Sequence, residues 1–80
     1  MEIEKKYVML DERTPIIFPA YIEHSTFRDI GNITSAGFVS IHIEDGALFV
    51  DSYGKSDTLK LESKKEDGLR IAQVLKPKKW

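Results

Sequence analysis

Eighty residues without a cysteine make one small domain that must hold by its core alone, with no disulfide framework and no thiolate chemistry. Twelve basic side chains nearly balance thirteen acidic ones, which argues against a protein whose main task is to coat nucleic acid. The first apolar run spans only residues 7–10, too short for a signal-peptide core or a membrane span, so a cytoplasmic protein with no membrane partner is the expectation.

Residues 7–10 and 16–18 flank the polar stretch Asp11-Glu12-Arg13-Thr14 and read as a first hairpin. Pro15 cannot donate to a ladder, so it belongs at the beginning of a strand or on an edge, and Pro19 closes the second strand. Residues 21–30 carry Tyr21, Ile22 and Phe27 around His24 and Ser25, a short helix or helical turn that Gly31-Asn32 ends.

The most informative dipeptide is Asp45-Gly46, set between the alternating runs 33–44 and 47–53. An Asp-Gly in this setting signals a two-residue type I′ turn, which needs φ > 0 at both central positions. That turn fixes register: Ile43 opposes Leu48, His42 opposes Phe49, Ile41 opposes Val50, Ser40 opposes Asp51 and Phe38 opposes Tyr53. One face is then aliphatic, with Val39, Ile41, Ile43, Leu48 and Val50. The other is aromatic and partly polar, with Phe38, His42, Phe49 and Tyr53 beside Ser40 and Asp51. Gly37 falls on the aliphatic face and marks a bulge or the close approach of another backbone.

Gly54 opens a polar loop, and residues 58–62 alternate again as a last strand with Leu59 and Leu61 inward. Ser63-Lys64-Lys65-Glu66 fits a capping box. The helix that follows runs to about Leu75, with Leu69, Ile71, Ala72, Val74 and Leu75 as its apolar side. Gly68 weakens it by roughly 1 kcal/mol relative to Ala, and Pro77 stops it. The predicted architecture is one α+β domain over residues 1–80, with a basic tail at 76–80. Its core is an antiparallel β-meander of about five strands with the C-terminal helix packed on one face.

Little in this chain points to catalysis. Gly54-Lys55-Ser56 looks like the end of a phosphate-binding loop, but Phe49 stands where the pattern requires glycine and a strand follows where a helix should open. His24 and His42 are the two histidines, and His42 with Asp51 makes no metal set of recognised spacing. No serine sits in a nucleophile elbow. The paired carboxylates Asp11-Glu12, Glu44-Asp45 and Glu66-Asp67 fall in turns or at a helix start. The expectation is a non-enzyme without cofactor or metal.

Two binding surfaces remain. Phe38, His42, Phe49 and Tyr53 form a candidate contact face for a second copy or another protein, unless Tyr7, the 21–30 segment or Trp80 folds over it. The alternative is nucleic-acid binding through Lys55, Lys60 and the tail residues Lys76, Lys78, Lys79 and Trp80, by phosphate contact and base stacking.

Ile33-Thr34-Ser35-Ala36-Gly37-Phe38-Val39, followed by Tyr53-Gly54-Lys55-Ser56-Asp57-Thr58-Leu59-Lys60-Leu61 and Lys65-Glu66-Asp67, resembles small uncharacterised proteins of bacteria and their phages or prophages. The resemblance covers most of the chain from about Pro15. It implies a bacterial cytoplasmic setting, phage-derived, and supplies no activity and no catalytic residues. A small interaction module, homodimeric or bound to a partner, is the expectation.

Overall fold

The computed structural model describes residues 2–75. Strands β1 (Glu2–Leu10) and β2 (Thr14–Phe18) form the first hairpin, and β3 (Ile33–Glu44) and β4 (Ala47–Tyr53) form the second. Antiparallel pairing of β1 with β3 joins them into one four-stranded sheet of order β2-β1-β3-β4. The class is α+β, as the pattern implied. The strands do not follow chain order as a meander would, because β1 is paired on both sides. Pro15 offers no N–H, which suits β2 to the edge, and β3 takes the other side of β1.

Asp45 and Gly46 have φ of 51° and 80°, and Glu44 pairs with Ala47, so the second hairpin closes in the expected two-residue turn and register. The expected fifth strand over 58–62 is instead a separate two-stranded ribbon. β5 (Lys55–Ser56) pairs with β6 (Leu61–Glu62), and Lys60 turns between them at φ 57°. Leu59 and Leu61 do point inward, against the core. The segment 21–30 contributes one 3-10 turn, His24–Phe27.

The sheet separates two clusters. On one side Tyr7, Met9 and Val39 pack with Ile71 of the helix α1 (Lys65–Leu75), flanked by Ile17, Ile41 and Val50. On the other, Val8, Phe18 and Ala36 are covered by Ile22, Phe27, Leu59 and Leu61. Both clusters lie toward the same end of the sheet.

The helix sits on its face differently from the hydrophobic reading. Of its predicted apolar side only Ile71 is fully buried; Leu69 is 70% exposed, and Val74 and Leu75 are also exposed. The buried positions are Asp67, Gly68 and Ile71. The Asp67 carboxylate accepts hydrogen bonds from the Tyr7 hydroxyl (2.5 Å), the Ser35 hydroxyl (2.6 Å) and the Lys64 N–H (3.1 Å). Burial, with this carboxylate alongside, raises the Tyr7 pKa, so the phenol stays neutral as a donor. Only half of a capping box forms, one residue further on than the pattern places it: the Asp67 carboxylate accepts from the Lys64 N–H, and the Lys64 side chain has no oxygen to return the bond.

Gly68 and Gly37 are where backbones meet. Gly68 donates its N–H to Ser52 Oγ (3.1 Å), which itself donates to the Lys64 carbonyl (2.6 Å). A Cβ on Gly68 would stand 3.0 Å from the Val50 carbonyl oxygen. A Cβ on Gly37 would stand 2.7 Å from the Tyr53 carbonyl oxygen and 2.9 Å from Ser63 Cβ. Close approach, one of the two readings of Gly37, is the one realised. Gly37→Ala should therefore cost about 1–3 kcal/mol in chemical denaturation, as overpacking does. A variant as stable as the parent would contradict this packing.

Candidate interaction surface

The period of two places alternate residues of three strands on one face, and the observed registers set them in rows. Glu2 lies beside His42 and His42 beside Phe49. The next row is Glu4, Ser40 and Asp51, and the third is Lys6, Phe38 and Tyr53. The four sequence-predicted residues Phe38, His42, Phe49 and Tyr53 thus share a face, but they divide into two zones.

Phe38 belongs to the zone that the chain covers itself. His24 meets it edge-on with ring centroids 5.8 Å apart, Tyr53 stacks on it at 5.8 Å, and Lys6 Nζ lies 5.9 Å from its ring centre. His24 is buried, with Nε2 at 2.8 Å from the Gly37 carbonyl and its ring edge-on to Phe18. The expectation that the 21–30 segment folds over the aromatic face holds for this zone only.

Phe49, at 52% exposed, stands in the open zone with His42, whose ring lies 6.1 Å away. His42 Nε2 is 3.0 Å from Glu44 Oε2, and its Nδ1 is buried without a partner among the described residues. Tyr53 donates its hydroxyl to Glu4 Oε2. A shallow depression of about 390 Å³ is lined by Glu2, Ser40, His42, Glu44, Phe49 and Asp51. The one lysine of these rows, Lys6, is turned away, donating to the Ile22 carbonyl (3.0 Å). Carboxylates therefore dominate the open zone, around exposed rings.

Sequence reasoning missed Glu2 and Glu4, because it left the partner of β1 across β3 unassigned. The alternation Glu2, Glu4, Lys6 against Ile3 was the available signal. The residues of the nucleic-acid alternative fare differently. Lys55 Nζ is 3.8 Å from Asp57, while Lys60 lies exposed on the ribbon turn. Lys76, Lys78, Lys79 and Trp80 lie outside the described residues. Gly54-Lys55-Ser56 leads into a strand, with the Ser56 hydroxyl buried and accepting from the Leu59 N–H (3.3 Å), so no phosphate cradle opens a helix there.

The opposite face of the same hairpin is aliphatic and also uncovered toward its tip, where Ile43 is 48% exposed. A groove of about 410 Å³ between β4 and α1 is lined by Val50, Asp51, Ser52, Lys65, Glu66 and Leu69.

Comparison with family models, curated proteins and solved structures finds no match to this chain.

Partial burial of the Tyr53 phenol, together with the Glu4 carboxylate, pushes its pKa up to about 12. Replacing Glu4 by Gln should return it toward the ordinary value near 10. The phenolate absorbance difference between each protein and its Tyr53→Phe version reads this directly. An unchanged midpoint would break the proposed pairing of the two strands' side chains.

Proposed function

We propose that this chain is a small protein-interaction module that binds through the open end of its sheet. The observation that carries this reading is the hairpin β3–β4 projecting beyond both covering layers. Its two faces present Phe49 and Ile43, each about half exposed. Exposed apolar side chains grouped on rigid strands, rimmed by polar residues, are what contact surfaces offer. An aromatic ring at the centre of such a patch is the usual anchor of binding energy.

Binding rather than catalysis suits the polar groups as well. The Asp67, Tyr7 and Ser35 set could resemble an acid–base constellation, but it is buried and committed to fixing the helix. The bacterial, cytoplasmic and phage-derived setting forms part of this proposal and rests on the resemblance of residues 33–39 and 53–67 alone. Nucleic-acid binding through Lys55, Lys60 and the 76–80 segment is favoured less, since Lys55 lies beside Asp57 and acidic side chains slightly outnumber basic ones over the sequence.

A photo-crosslinking amino acid at Ala47, exposed on the same face as Phe49, should trap protein in cells expressing the full chain. The trapped species would be either a second copy or a different polypeptide. The same group at Thr26, on the far turn, should trap nothing comparable, and Phe49→Ser should reduce the Ala47 adduct severalfold. Equal, background-level yields at both positions would remove the reading.

A further inference from the structure

Charge is unevenly distributed in this chain. Without the three lysines of residues 76–80, nine basic side chains face thirteen acidic ones. Four of the acidic groups, Glu2, Glu4, Glu44 and Asp51, belong to the open zone around Phe49 and Tyr53. The segment Lys76-Pro77-Lys78-Lys79-Trp80 carries the complementary chemistry: three cations and one large ring.

We propose that the open zone receives the 76–80 segment of a second copy of this chain. This deepens the interaction-module reading and rests on it. Lysine ammonium groups would lie against the carboxylates of Glu2 and Asp51, and Trp80 against the face of Phe49. The donor is a second copy because α1 packs on the opposite side of the sheet from this zone. Five residues span at most about 17 Å, and the segment of the same chain would have to pass round the sheet edge. Two copies can exchange these segments reciprocally, which closes the assembly as a dimer.

The test is a charge swap followed by sedimentation. The full chain should self-associate at low salt, and the association should weaken by about tenfold or more as salt screens the exposed charges. Lys78→Glu with Lys79→Glu should be monomeric, as should Glu2→Lys with Asp51→Lys. Circular dichroism checks that both stay folded, as the exposed positions of Glu2 and Asp51 on the sheet face allow. Mixing the two variants should restore association, because each reversed segment then meets a reversed face. A full chain that is monomeric at low salt would overturn the proposal. So would variants that associate like the parent, or a mixture that stays monomeric. If the Ala47 crosslink then traps a different protein, the module reading stands and only the identity of the occupant falls.

Discussion

One buried carboxylate organises this domain. Asp67 is 4% exposed and accepts from Tyr7, Ser35 and the Lys64 N–H, so a single side chain ties α1 to both central strands and to its own first turn. A buried carboxylate is tolerable only when its lone pairs are filled, and a hydrogen bond to a charged group contributes about 1.5–3 kcal/mol. The surrounding groups are arranged for that purpose: Tyr7 stays protonated, Ser35 turns its hydroxyl inward, and Gly68 lets the helix backbone come down onto β4.

From this anchor follows the distribution of cover. Because the helix is fixed through Asp67, Gly68 and Ile71, its leucines point outward, and its buried contact centres on Tyr7, Met9 and Val39. Beneath the sheet the 3-10 turn and the ribbon cover Val8, Phe18 and Ala36, toward the same end. Burial along β3 accordingly falls away toward the hairpin tip. The exposed tip results from where the two layers are pinned, and the alternation of the strands then sorts rings and carboxylates to one side and aliphatic groups to the other.

Much of the fold was legible because its signals are local. Asp45-Gly46 specified turn, register and both faces of the second hairpin, and Pro15 marked an edge. The partner of β1 was not legible: a period of two assigns faces but is silent on which edge pairs with which, so Glu2 and Glu4 could not be brought beside His42 and Ser40. The helix face was misread for a different reason. Hydrophobic periodicity weights Leu69, Val74 and Leu75, whereas the contact is made by a carboxylate and a glycine, residues that such a pattern discards. The capping register slipped by one with it, since Asp67 and Glu66 are equivalent as sequence and differ only in what surrounds them. Of the candidate surface, Phe49, His42 and Tyr53 were legible from the turn alone. The self-covering of Phe38 depends on His24, which lies on a separate element.

The account makes stability and surface chemistry separable, and unfolding of two single variants tests this most directly. Asp67→Ala should be strongly destabilised, by about 3 kcal/mol or more, because Tyr7 and Ser35 are left buried without their acceptor. Phe49→Ser should unfold within about 1 kcal/mol of the parent, since its ring is half in water. The reverse order, with Phe49→Ser the more damaging, would mean that the aromatic face belongs to the core and that the open surface does not exist.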